Sequence, residues 1–115
     1  MYNTVPLKEE LKRLENQLKT NTTDENLISQ CATFCLMIGT LDGDETYLSK
    51  AIEYGEQMTS QPYREMAADN KRKIKEERER YYNNLKTFYS VLSQNQYISD
   101  IIDYLDDHIA YWSAL

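Results

Sequence analysis

Apolar residues recur at helical spacing through most of the chain, and short polar breaks divide the pattern into five segments. In residues 4–20, Leu7, Leu11, Leu14 and Leu18 are spaced four, three and four apart, a narrow seam with charge on every other face. Asn3 or Thr4 is placed to cap this helix, and Pro6 fits its first turn, where a missing N–H costs nothing. The seam lasts only two heptads, which suits one helix of an intramolecular bundle better than a homodimeric coiled coil. Residues 20–24 are a polar break, with Thr22 and Glu25 at capping-box spacing. The stripe of Leu27, Ile28, Cys31, Phe34, Cys35, Ile38 and Leu41 then predicts the most buried helix, over 24–40. A turn at 41–46 leads to a helix over 45–59, facing inward with Leu48, Ala51, Ile52, Gly55 and Met58.

Between Pro62 and Leu92 there is no Gly and no further Pro. The stripe there passes through Tyr63, Met66, Asn70, Ile74, Glu77, Tyr81, Leu85, Phe88 and Leu92. Its middle is polar, which predicts one continuous helix of about 45 Å that partly projects beyond its bundle. Ser93-Gln94-Asn95 is the last break. The final helix, over 96–113, carries Ile98, Ile101, Ile102, Leu105, Ile109 and Trp112 on one stripe. Tyr97, Tyr104 and Tyr111 run beside it at seven-residue spacing, and Asp100, Asp103, Asp106 and Asp107 take the remaining face.

Composition agrees. Only 3 Gly and 2 Pro occur in 115 residues, too few for the turns of a sandwich or barrel or for a glycine-rich phosphate loop. The fold expected is therefore an all-α five-helix bundle with a long, partly projecting fourth helix, a single helical domain over 1–115. The longest uncharged run, 26–41, is too short and too polar for a membrane span. Residues 1–7 lack a basic cluster followed by an apolar stretch, so no secretory leader and a cytoplasmic location are expected.

The net charge of −6 disfavours a dedicated nucleic-acid binder, but the charge is uneven. Residues 21–60 hold seven acids and one base, 71–80 hold six bases and three acids, and 81–115 hold four acids and one base. The basic island is interleaved with Glu76, Glu77 and Glu79. Arg72–Glu76, Lys73–Glu77 and Lys75–Glu79 are spaced as i,i+4 pairs, so self-compensation on an exposed helix is the expectation. Lys71, Arg72, Lys73 and Lys75 are the candidates for a nucleic-acid contact.

Residues 27–62 resemble a single tetratricopeptide-type helical hairpin. Gly39 and Ala51 are the small residues such a unit places on its two helices, twelve apart. Ile38, the phrase Ala51-Ile52-Glu53-Tyr54 and Pro62 also match. Cys35 and Asp42 stand where the family prefers aromatics, Gly55 where it prefers Phe or Tyr, and Pro62 comes one residue early. The pattern does not recur. The resemblance implies protein binding rather than catalysis.

Candidate chemistry is sparse. His108, the one histidine, has Tyr104 and Trp112 at i−4 and i+4, so no carboxylate is spaced to share a metal with it. Cys31 and Cys35 lie on an apolar stripe and read as small, reduced core residues. Asp42, Asp44 and Glu45 begin like a calcium loop, but Gly43 is misplaced and no ligand register follows. No catalytic residue, metal ligand or cofactor is assigned, and no enzymatic activity is expected.

Tyrosine is the compositional anomaly. Of 10, six fall in residues 81–115: Tyr81, Tyr82, Tyr89, Tyr97, Tyr104 and Tyr111. Tyrosine gives large contact area for little conformational entropy and is enriched in binding hot spots. Tyr89, Tyr97, Tyr104 and Tyr111, with Asp103 and Asp107, are therefore the candidate partner-binding residues. The expected role is stoichiometric binding of another protein, one with a basic surface, as an adaptor or inhibitor. A homodimer and a nucleic-acid-associated subunit are the alternatives. In size, acidity and helix content the chain resembles phage-encoded inhibitors of bacterial defence, anti-CRISPR proteins among them, and toxin-neutralising immunity proteins.

Overall fold

A computed structural model describes residues 3–92 and 94–115, and among them the chain is all-α. Five helices follow one another: α1 (Val5–Leu18), α2 (Glu25–Asp42), α3 (Glu45–Glu56), α4 (Tyr63–Ser90) and α5 (Gln96–Ala114). Met1, Tyr2 and Ser93 lie outside the described residues, and with them part of the leader expectation and of the last break. The chain divides into two compact units, Met1–Lys71 and Arg72–Leu115, and α4 runs without interruption through the division. No helix among the described residues is long and apolar enough to cross a membrane.

In Met1–Lys71 the core lies between α1, α2 and α3. Leu11 and Leu14 of α1, Ile28, Cys31, Cys35 and Ile38 of α2, and Leu48, Ala51 and Ile52 of α3 are all buried. Met58, just after α3, is buried as well. Leu41, which the stripe of α2 places inside, is 40% exposed, because α2 has reached its last turn there. At Gly39 a Cβ would stand 2.8 Å from Leu48 Cγ and 3.0 Å from Leu48 N, so α2 and α3 approach more closely than any side chain at this position permits. That close approach is the physical reason for the small residue in the hairpin.

Caps set the boundaries. Asp24, not Thr22, caps α2: its carboxylate accepts from the N–H groups of Asn26 and Leu27. Gly43, at φ 64°, closes α2 in the left-handed region, and Asp44 caps α3 through the Thr46 N–H. The acidic turn at 42–44 thus joins two helices. Helix α3 stops at Glu56, three residues short of expectation, because Glu25 captures the segment beyond it. Its carboxylate accepts from the N–H groups of Thr59 and Ser60 and from the Thr59 hydroxyl. Hydrogen bonds from the Ser60 hydroxyl and the Thr59 N–H hold this carboxyl down at about 2.

Thr4 occupies the N-cap position of α1 but makes no cap bond. Its hydroxyl donates instead to Asp42, 38 residues away, and Lys8 joins the same carboxylate at 3.1 Å. Asn3 supplies the local contact, accepting from the Val5 N–H. Further along α1, Glu15 accepts from Lys50 Nζ at 3.1 Å and from the Tyr54 hydroxyl, tying α1 to α3. Burial, reinforced by that carboxylate, pushes the Tyr54 phenol up. Burial also drives the Cys35 thiol to about 12 and raises that of Cys31. Both are free and inert as nucleophiles, as core packing requires.

Candidate functional site

In Arg72–Leu115 the later part of α4 and the whole of α5 form an antiparallel hairpin. Lys75 Nζ donates to the Ser113 carbonyl at 3.4 Å, the rings of Tyr82 and His108 stand 4.9 Å apart, and Lys86 pairs with Asp106 at 2.6 Å. Ile74, Tyr82, Leu105 and Trp112 are the buried apolar residues of this unit.

Two stripes share one side of the hairpin. On α4, Tyr81, Leu85, Phe88 and Leu92 follow one another at four, three and four residues. On α5, Tyr97, Tyr104 and Tyr111 repeat every seven. A run of rings joins them. Tyr81 meets Tyr82 edge-on at 5.1 Å, Tyr82 meets His108 at 4.9 Å, and His108 lies against Tyr104 at 4.1 Å. His108 Nδ1 is 2.9 Å from the Tyr104 carbonyl oxygen, and an Nδ1–H donates to it. Arg78 extends the run by stacking on Tyr81 at 5.0 Å. The Lys86–Asp106 bridge marks the opposite side: Asp106 is two residues from Tyr104, about 200° around the helix.

The rings are open to solvent. Tyr97 is 81% exposed, Tyr104 58%, Tyr111 50%, Phe88 58% and Tyr81 49%. Val91 and Leu92 add exposed apolar surface where α4 ends. Single exposed apolar side chains are ordinary, whereas these stand in a row along one side of the hairpin. Tyr89 is half-buried, its ring edge-on to Phe88 at 5.3 Å. Asp103 and Asp107 are exposed on the outer side of α5, next to Tyr104 and Tyr111. All six predicted partner-binding residues therefore belong to the hairpin. Tyr97, Tyr104 and Tyr111 form its exposed face, the two acids its rim, and Tyr89 its margin.

The basic island is less open than its composition implies. Lys71 reaches Glu56 of α3 at 3.1 Å, Arg72 pairs with Glu76 at 3.5 Å, and Lys75 turns to the Ser113 carbonyl instead of Glu79. Of the three expected i,i+4 pairs only Arg72–Glu76 lies within ion-pair distance. Lys75 is drawn off by the bare carbonyl at the end of α5, an acceptor that only the folded hairpin brings near. Lys73 is exposed.

Tyr81 and Phe88 lie on the α4 stripe that helical spacing gives, whereas Tyr82, Val91 and His108 are site residues that spacing alone does not single out. The one available signal was the density of tyrosines around 81–89. Elsewhere, a groove of about 500 Å³ beside α1 and α3 is lined by Lys12, Glu15, Asn16, Lys19 and Tyr54, among others. Its part-buried polar groups, Glu15 and Tyr54, are bonded to each other. Among the described residues no three His, Cys, Asp or Glu side chains are gathered as a metal site would require. No protein-family model matches the chain, and no curated protein or solved structure is significantly similar to it.

Proposed function

We propose that the chain is a non-catalytic binding protein that docks the aromatic face of its α4–α5 hairpin on another macromolecule in a stoichiometric complex. The observation that carries this is the row of solvent-open rings from Phe88 and Tyr81 across to Tyr104, Tyr97 and Tyr111. A protein with no partner gains nothing by keeping these rings in water, and buried against a partner they supply the aromatic anchors typical of interfaces. The resemblance of residues 27–62 to a tetratricopeptide-type hairpin points the same way, to protein binding. Asp100, Asp103 and Asp107 border the face on α5, so the fitting partner is a protein with a basic surface. An adaptor or an inhibitor acts in this manner. An inhibitor of the phage anti-defence or immunity type would do so by occupying a basic nucleic-acid groove, with acids steering the encounter. The site of action is the cytoplasm. A nucleic-acid contact through Lys71, Arg72, Lys73 and Lys75 has less support, since three of the four are already engaged.

The test is capture by the tagged chain in its source cells, followed by native mass spectrometry. One protein at a fixed ratio is expected, released by raising the salt, and lost from the Tyr97→Ala/Tyr104→Ala/Tyr111→Ala and Asp103→Lys/Asp107→Lys variants. A complex unaffected by either variant, or capture of nucleic acid alone, would overturn the role.

A further inference from the structure

The aromatic face is polarised along its length. Lys75 meets the Ser113 carbonyl, Tyr82 meets His108 and Lys86 meets Asp106, so 72–80 lie level with 108–115, and 83–92 with 97–107. At the open end of the hairpin, residues 72–82 hold five bases and three acids, and 108–115 hold no Asp, Glu, Lys or Arg. At the closed end, residues 83–107 hold four aspartates and one base, and that base, Lys86, is bridged to Asp106 on the opposite side. Asp100 accepts from the Gln96 amide, a neutral partner that leaves its charge uncompensated. Asp103 and Asp107 are exposed on a helix that has no Lys or Arg. The open rings and side chains of Phe88, Val91, Leu92, Tyr97 and Tyr104 all stand at this acidic end.

Both helices carry coiled-coil spacing on this side. On α5, Tyr97, Asp100, Tyr104, Asp107 and Tyr111 follow at three, four, three and four residues, a heptad seam in which rings alternate with carboxylates over about 21 Å. On α4, Leu85, Phe88 and Leu92 follow at three and four, an apolar seam. The two seams flank one groove. A third helix repeats at the same intervals and can seat a side chain against each position. An extended segment is less suited, because among the described residues there is no strand edge to take its backbone groups. Aliphatic side chains fit the α4 seam. Arginine fits the α5 seam, since a guanidinium stacks on a tyrosine face while its N–H groups reach a carboxylate one turn away. Arg78 already stacks in this way on Tyr81 within the chain. We infer that the occupant of the face is a basic amphipathic helix of another protein, seated in the groove at the closed end. Its apolar side lies on Leu85, Phe88 and Leu92, and its arginines follow Tyr97, Asp100, Tyr104 and Asp107 at heptad spacing. The inference rests on the proposed role of this face as a docking surface and adds the partner's element and charge pattern. The aspartates oppose a nucleic-acid strand. A second copy offers no such helix, because its bases cluster at 72–80, where Arg72 is paired with Glu76 and Lys75 with the Ser113 carbonyl.

The probe is a synthetic peptide of three heptads with Leu at the two core positions and Arg at the positions flanking them. It is titrated into the full chain and followed by fluorescence anisotropy and by amide shifts in NMR spectra. A Kd on the order of 10 μM is expected at low salt, weakening about tenfold as salt screens the charges. The amides expected to shift are those of 83–107, not those of 72–80. A peptide of the same composition in shuffled order, and one with Glu in place of Arg, are each expected to bind about tenfold more weakly or worse. Phe88→Ala/Tyr104→Ala and Asp100→Asn/Asp107→Asn are each expected to weaken binding of the first peptide about tenfold, with circular dichroism verifying the helices. The inference is overturned by no binding at low salt, by equal binding of the shuffled peptide, by shifts outside 83–107, or by an affinity unmoved in the aspartate variant. It is overturned equally if the 83–107 amides shift instead with a single-stranded oligonucleotide, or with rising concentration of the chain alone. If the inference fails while capture from source cells is still lost with Tyr97, Tyr104 and Tyr111, the proposed role of the face survives. If capture is indifferent to those rings, both fall.

Discussion

Eleven of the hydrophobic side chains buried among the described residues belong to Met1–Lys71, and four to Arg72–Leu115. The exposed large ones divide the other way, with Val5, Leu41 and Met66 in the first unit and Tyr81, Phe88, Val91, Leu92, Tyr97, Tyr104 and Tyr111 in the second. Chain length does not explain the contrast, since the unit with fewer residues exposes more apolar surface. In the first unit each helix turns its stripe onto another helix, so hydrophobic residues contribute to stability. In the second, two helices meet along one line, and the rings beside that line have no cover from their own hairpin. The first unit holds a fold, and the second displays a surface.

The largest effects should therefore come from the first unit. Ile38, fully buried on α2, is expected to lose about 2–5 kcal/mol on substitution by Ala, in urea unfolding followed by circular dichroism. Phe88→Ala, at an exposed ring, is expected to lose less than about 1 kcal/mol in the same experiment. Equal losses at the two sites would erase the contrast. Gly39→Ala is next. The new Cβ would press on Leu48, at about 1–3 kcal/mol of overpacking, while helix propensity returns about 1. A net loss near 1 kcal/mol is expected, where an open helical glycine would show a gain.

Glu25 gives a pH test confined to the first unit. Its carboxyl titrates at about 2 in the folded chain against an ordinary value of 4.5. A depressed folded pKa contributes stability that is fully present above about 4.5 and is lost as pH falls toward 2. Part of the acid destabilisation in that window is thus expected to vanish in Glu25→Gln, which is already weakened at neutral pH. An unchanged acid limb in the variant would show that Glu25 does not clasp the segment after α3.

Helix count and position were legible because breakers are scarce and caps are local. Asp24, Asp44 and Asn95 each stand two or three residues before the N–H groups they satisfy. What lay beyond the sequence depends on distant neighbours. Glu25 has capping-box spacing to Thr22, yet its partners are 34 and 35 residues away. One stripe of α4 includes both Ile74, 4% exposed, and Phe88, 58% exposed. Periodicity marks the two alike, and only tertiary cover separates them. The tyrosines of α5 announced a surface by their spacing, whereas the link through Tyr82 and His108 appears only once α4 and α5 are side by side.

The smallest expected effect is the most informative. Urea unfolding of Tyr97→Ala/Tyr104→Ala/Tyr111→Ala compares what the rings lose in packing with what alanine gains in helix propensity, and at exposed positions these nearly cancel. Stability within about 1 kcal/mol of the unaltered chain is the result expected of rings held in reserve for a partner. A loss on the scale of Ile38→Ala would mean that the rings hold the fold, and would contradict the assignment of this face to binding.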